Sequence, residues 1–184
     1  SAFVDIGLER AAFLHVADIW VPRENGETAR PTEFKPIEKI LSDGQSLLVQ
    51  VVKDPLGSKG ARLSTQIGIA GRYLVYLPQE CHIGISQRIE CEAEREILRG
   101  KLQHLIPADE SGGYIVRTVA ETASDEELAA DIAYLRKLWN GIREAAMTAA
   151  QETLLYQDLS LSQRVLRDFV HADNKRIIVD SLEN

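Results

Sequence analysis

The order of hydrophobic and polar positions divides the chain into a front part of short alternating runs and a rear part with helical spacing. Residues 2–6 and 11–16 alternate as strands do, with residues 7–10 as the tight connection between them. Residues 46–53, with Leu47, Leu48, Val49, Val51 and Val52, are the strongest strand run in the sequence. Asp54, Pro55, Gly57 and Gly60 break it, and residues 61–69 resume as a strand. The polar stretch 18–35, with Pro22, Gly26 and Pro31 and then Pro36, reads as a long surface loop where disorder is expected. One helical turn is expected over residues 37–41, and Asp43-Gly44 marks a turn.

After Gly71 the pattern changes. Residues 73–77 read as an apolar strand stopped by Pro78, residues 83–89 as a second strand and residues 114–118 as a third. Residues 90–105 read as a helix with Leu98, Leu102 and Leu105 on one face. A second helix begins at Ser124, where Glu127 completes a capping box. Its stripe, Leu128, Ile132, Leu135, Trp139, Ile142 and Ala146, runs at steps of four and three and belongs to the core. Residues 147–151 are a weak connection. Residues 160–170 form a short helix with Leu161, Val165, Leu166 and Phe169 inward. Residues 176–180 read as a last strand without obvious partners.

Four short strands and no good helix in the front part suit a small barrel such as an OB-fold, which has five strands. The first strand is expected to be missing, because the sequence opens on Ser1 already inside an alternating run. The rear part is an α/β domain. The expected class is therefore α+β, a partial OB-fold β-barrel followed by an α/β domain, with the boundary near residues 69–72.

Composition adds limits. The chain has 184 residues, 45% hydrophobic and 27% charged, enough for one large or two small domains. No apolar run approaches the roughly 20 residues that span a bilayer, and no signal peptide is visible at the start. Cys81 and Cys91 sit in no CxxC motif, which fits free thiols in a reducing, cytoplasmic setting. The net charge of −7 argues against a wholly basic nucleic-acid binder. Between Leu47 and Pro78, however, Lys53, Lys59, Arg62 and Arg72 face only Asp54, a local basic stripe compatible with phosphate binding.

The candidate chemistry is binding rather than catalysis. His15, His82, His104 and His171 are scattered, and none pairs with a cysteine or another histidine at zinc-ligand spacing. No GxSxG elbow marks a nucleophile, and no acidic cluster at strand ends marks a magnesium site. The loop at residues 57–60 lacks P-loop spacing and a following helix. Gly112-Gly113 leads into a strand ending on Arg117 and Thr118, whose guanidinium fork and hydroxyl can together grip one phosphate. The same pair also fits two ordinary surface residues. Phe3 and Phe13 are either core residues or platforms for base stacking. Lys59 is either a solvated hairpin tip or a cation offered to an RNA backbone.

Five blocks, in order, resemble the ribonuclease E/ribonuclease G family of bacterial endoribonucleases. They are Ala2-Phe3-Val4-Asp5-Ile6-Gly7, the run from Gln50 to Leu63, Ile85-Ser86-Gln87-Arg88-Ile89-Glu90, Tyr114-Ile115-Val116-Arg117-Thr118, and the run from Gln163 to Phe169. Lys53-Asp54-Pro55-Leu56-Gly57 and Ser86-Gln87-Arg88-Ile89-Glu90 look closer to ribonuclease G. The resemblance implies an OB-fold RNA-binding domain over residues 1–70, a sensor of the RNA 5′ end over residues 71–170, and the start of a ribonuclease-H-like subdomain at residues 171–184. It implies that Arg117 and Thr118 grip a 5′ monophosphate, with Val75 supporting the pocket through its main chain. It implies RNA contacts by Phe3, Phe13 and Lys59 and, with Gln87 standing where the family can show a second arginine, by Arg88. Arg62 belongs to the same basic stripe and joins the RNA-binding set.

The resemblance also implies Mg2+ held by aspartates in a later subdomain, and Zn2+ at a cysteine pair linking protomers of a homo-oligomer, both outside this chain. The residues then belong to the recognition part of a metal-dependent hydrolase that cuts single-stranded RNA in rRNA processing and mRNA decay, inactive by themselves. The competing class is a non-catalytic RNA-binding regulatory module.

Overall fold

The computed structural model describes residues 1–21, 36–170 and 173–180. They fall into two compact units, Ser1–Thr153 and Leu154–Asn184. Most of the expected long loop and His171 lie outside the described residues.

In the first unit, β1 (Ala2–Val4), β2 (Ala12–Leu14), β3 (Gln50–Lys53) and β4 (Arg62–Ser64) form one sheet in the order β1-β2-β4-β3. β1 and β2 pair antiparallel, β2 and β4 parallel, and β3 and β4 antiparallel with a register shift between Val51 and Lys53. Side-chain alternation turns Ala12, Leu14 and Leu63 inward, where they pack with Ile19 and Ala61. Val4, Ile6, Ile37, Ile40, Leu41, Leu47 and Val49 close over that cluster. The run 46–53 is a strand only from Gln50 onward, because Leu47 and Val49 serve the core from irregular chain. The expected helical turn is a short 3-10 segment, Ile37–Lys39.

This sheet does not close. β1 and β3 are both edges, and a barrel requires its edge strands to be hydrogen-bonded to each other. The expected barrel is corrected to an open four-stranded sheet among the described residues, while the α+β class holds.

The second sheet of this unit takes β5 (Ile69–Ala70), β6 (Leu74–Leu77), β7 (Ile83–Ile85) and β8 (Gly113–Val116) in the order β5-β6-β8-β7. β6 pairs antiparallel with both β5 and β8, and β7 runs parallel to β8. Between β7 and β8 the chain makes α1 (Glu92–Leu105), and after β8 it makes α2 (Asp125–Thr148). Leu74, Tyr76, Tyr114 and Val116 are buried on one sheet face, with Leu98 and Leu102 of α1 and Leu128, Ile132, Leu135 and Ile142 of α2 also buried. Ser124 and Glu127 form the expected capping box, at 3.2 and 2.9 Å. α2 runs on to Thr148 through the expected weak connection, and its last stripe residue, Ala146, is exposed.

Two expectations for the second unit are corrected. α3 (Leu161–Phe169) has its capping box of Ser160 and Gln163, but Leu161 and Phe169 are 80% and 69% exposed, and Val165 and Leu166 are exposed too. One short helix has no second layer within its unit against which to bury that face. Residues 176–180 are not a strand, since they join no ladder, and Ile177, Ile178 and Val179 are exposed.

Candidate nucleic-acid interface

The outward face of the first sheet gathers aromatics and cations by register alone. Phe3 stands opposite Phe13, Phe13 beside Arg62, and Arg62 opposite Lys53. Phe3 is 78% exposed and Phe13 half-buried, so the core alternative for this pair does not hold. Their rings meet edge to face, with centroids 6.1 Å apart. Arg62 directs its fork at Asp18, with Nε donating to Oδ2 at 3.1 Å and Nη2 donating to Oδ2 at 2.9 Å. It is a fixed cation beside the rings rather than a freely swinging one.

Lys59 lies in the turn that follows β3. Leu56 and Lys59 exchange main-chain hydrogen bonds of 3.1 and 3.0 Å across Gly57-Ser58, and Gly57 adopts a left-handed φ of 57° that a side chain would strain. Arg10 Nη1 donates to the Gly57 carbonyl at 2.8 Å, tying this turn to the β1–β2 connection. Lys59 is exposed at the tip.

The second group forms at one end of the other sheet. β8 stops at Val116, so Arg117 and Thr118 are not strand residues; they open a 3-10 segment, Thr118–Thr122. The Arg117 N–H still donates to the Tyr73 carbonyl at 2.9 Å, extending the ladder by one rung. Its side chain turns back, and Nη1 donates to the carbonyls of Gly71 and Arg72 at 2.6 and 2.7 Å. The planar fork is thereby oriented. The turn that receives it is itself held by Asp131 of α2. Oδ1 accepts from the Arg72 N–H at 3.1 Å, and Oδ2 accepts from the N–H groups of Tyr73 and Leu74, each at 2.9 Å. Asp131 is 8% exposed, a burial that a carboxylate tolerates when its oxygens are satisfied. Gly71 must be glycine, because a β-carbon there would lie 2.5 Å from Asp131 Oδ1.

Further contacts stiffen the same corner. Tyr73 donates its hydroxyl to Glu127 Oε1 at 2.6 Å, so burial and that bond raise the phenol above its ordinary pKa. Ser86, just past β7, donates its N–H to the Val116 carbonyl at 2.9 Å, which sets the 86–89 turn beside Arg117. Arg88 is exposed on that turn, and no carboxylate among the described residues pairs with it. Arg95 Nη1 caps the turn through the Ser86 and Ile89 carbonyls at 3.0 and 3.2 Å. Val75 lies in β6 opposite Ile115, so its main chain belongs to the ladder that carries Arg117. The structure brings Val75, Arg88, Arg117 and Thr118 to this sheet, and Phe3, Phe13, Lys59 and Arg62 to the other.

Gly112 and Gly113 owe their identity to packing. A β-carbon on Gly112 would enter the Tyr76 ring, and one on Gly113 would lie 2.5 Å from the His82 carbonyl oxygen. Behind them Glu110 accepts from the Tyr76 hydroxyl at 2.9 Å and the Gly112 N–H at 2.8 Å, and pairs with Arg136 at 2.7 Å. Asp131, Arg95, Arg10 and Glu110 were not singled out by the sequence reading. Asp131 had a usable signal: it lies three residues after Leu128 and four before Leu135, an acid on a buried stripe that must find donors.

Cys81 and Cys91 are free and exposed. Among the described residues, no three or more His, Cys, Asp or Glu side chains gather as a metal site, and no helix is long and apolar enough to cross a membrane.

Ribonuclease G from Escherichia coli (strain K12) is 49% identical over 183 residues, covering 98% of this chain and 37% of that protein. Ribonuclease G from Haemophilus influenzae is 45% identical with the same coverage. Ribonuclease E from Nostoc sp. is 40% identical over 182 residues, 98% of this chain and 25% of that protein. The chain thus spans little more than a third of the ribonuclease G relatives it matches. The family model for the Ribonuclease E/G family matches residues 68–184, and with these identities the chain belongs to the ribonuclease E/G family.

Proposed function

We propose that this chain is the RNA-binding and 5′-monophosphate-sensing part of a bacterial endoribonuclease that cuts single-stranded RNA. The observation that carries the reading is the Arg117 fork, held by the Gly71 and Arg72 carbonyls next to the Thr118 hydroxyl. A monophosphate ester carries roughly −1.5 to −2 charges near neutral pH and offers three acceptor oxygens. An oriented guanidinium supplies parallel charge-assisted donors, and the hydroxyl adds another. A 5′ hydroxyl has no anion for them, and a triphosphate extends beyond the point where they converge. Arg88, on the neighbouring turn, adds a cation for the following backbone.

The first sheet is read as an OB-fold lacking one strand. Its parallel β2–β4 pair and its two open edges, β1 and β3, leave room for a fifth strand between them. Phe3 and Phe13 stack bases, and Lys59 and Arg62 follow the backbone. The domain reading of residues 1–70, 71–170 and 171–184 goes with this division of labour. Hydrolysis is assigned to residues beyond this chain, where Mg2+ and the Zn2+ link of a homo-oligomer are also expected. The setting is the cytoplasm, and the roles are rRNA processing and mRNA decay.

The test is cleavage by the full-length protein of one RNA prepared with a 5′ monophosphate, triphosphate or hydroxyl. The monophosphate form is cut fastest. Equal rates for all three ends would refute the sensing role.

A further inference from the structure

Resting on the reading of the first sheet as an RNA-binding face, we infer that His15 is a third base-stacking platform, continuing the row begun by Phe3 and Phe13. His15 follows Phe13 by two residues, so it emerges on the same side of the chain. Its ring centroid is 6.3 Å from that of Phe13, with the planes tilted by 40°, nearly repeating the 6.1 Å step from Phe3 to Phe13. The three rings thus form a line along the outer side of β1 and β2. Neither adjacent pair is parallel, with interplanar angles of 65° and 40°, so no two rings clamp a single base between them. Each ring takes its own base, and the row reads three consecutive bases of an extended single strand.

The ring is preorganised. Nδ1 accepts the Ala17 N–H at 3.1 Å, the cap of the 3-10 segment Val16–Asp18, which fixes the side chain and leaves Nε2 to carry the proton of the neutral ring. His15 is exposed, so a stacked base reaches its face without displacing the core. Every base has a π-face, so the platform binds without demanding a sequence.

The test separates ring from cap. Asparagine is an effective N-cap acceptor without an aromatic face, whereas phenylalanine keeps a ring and gives up the cap. Binding of a fluorescein-labelled 5′-hydroxyl oligoadenylate to the full-length protein is followed by anisotropy without added divalent metal, for wild type, His15→Asn, His15→Phe and Phe13→Ala. The 5′ hydroxyl keeps the Arg117 site out of the measurement. His15→Asn weakens binding at least about fivefold, the loss of one stacked base, while His15→Phe binds as wild type. If His15→Asn binds as wild type while Phe13→Ala is weak, His15 is only a cap and the inference fails, leaving the RNA face in place. If Phe13→Ala also binds as wild type, the RNA face itself is refuted and the inference with it.

Discussion

Asp131 and Arg117 hold one turn from opposite chemical sides. The Asp131 carboxylate takes the N–H groups of Arg72, Tyr73 and Leu74, and the Arg117 guanidinium gives to the carbonyls of Gly71 and Arg72. The arginine assigned to the 5′ phosphate is thus oriented by main chain that a buried acid on α2 keeps in place.

Removing that acid should cost both stability and sensing. Asp131→Ala leaves three N–H groups without their acceptor and is expected to destabilise the fold by roughly 3 kcal/mol. Asp131→Asn keeps one acceptor oxygen and should lose less. Denaturant titration gives the stability loss. The accompanying fall in preference for 5′-monophosphate RNA, measured on the protein that remains folded, distinguishes a positioning role from a purely structural one.

The Glu110 network predicts a weakness at high pH. Burial, then the bond to Glu110, raises the Tyr76 phenol; burial, then the Glu110 charge, raises that of Tyr114. Unfolded phenols ionise near about pH 10. Above that pH the unfolded chain has released protons that the folded chain retains, so stability falls as pH rises. Below it this contribution is fully present. Unfolding free energies from pH 8 to 11 should therefore decline above about pH 10, and Tyr76→Phe, which cannot ionise, should decline less steeply. An unchanged slope in that variant would exclude Tyr76 as a cause.

Phe3 and Phe13 should matter more for RNA than for folding. Phe3 is 78% exposed, so Phe3→Ala should leave the melting temperature nearly unchanged while weakening RNA binding by roughly 1–3 kcal/mol. Phe13, half-buried between Ala12 and Leu14, should lose some stability as well. Melting curves and anisotropy on the same samples give both numbers. Normal binding by Phe3→Ala would remove it from the interface.

How far the sequence could be read depended on whether a signal was local. The Ser124–Glu127 capping box and the Leu128–Ile132–Leu135 stripe are contained within one helix, and both appear as expected. The pairing of Phe3 with Phe13 follows from two alternating runs and a short connection. The row across the sheet to Arg62 needs the parallel β2–β4 pairing, which joins segments nearly fifty residues apart, beyond any local pattern. Residues 46–53 looked like the strongest strand because β-branched residues crowd there, yet tertiary packing took Leu47 and Val49 for the core. Residues 176–180 had strand composition without a partner, and composition supplies no ladder. The carbonyls that orient Arg117 were invisible for the same reason: no side-chain pattern reports where a main-chain oxygen points.

The most direct test of the central claim is the effect of Arg117→Ala on the ratio of cleavage rates for matched 5′-monophosphate and 5′-hydroxyl RNAs, measured with the full-length protein. Charge-assisted bonds contribute roughly 1.5–3 kcal/mol each. Loss of the fork should therefore lower the ratio at least about tenfold. Arg117→Lys should recover only part of it, because a point charge replaces a planar pair of donors. A ratio unchanged by Arg117→Ala would contradict the assignment of this residue as the phosphate sensor.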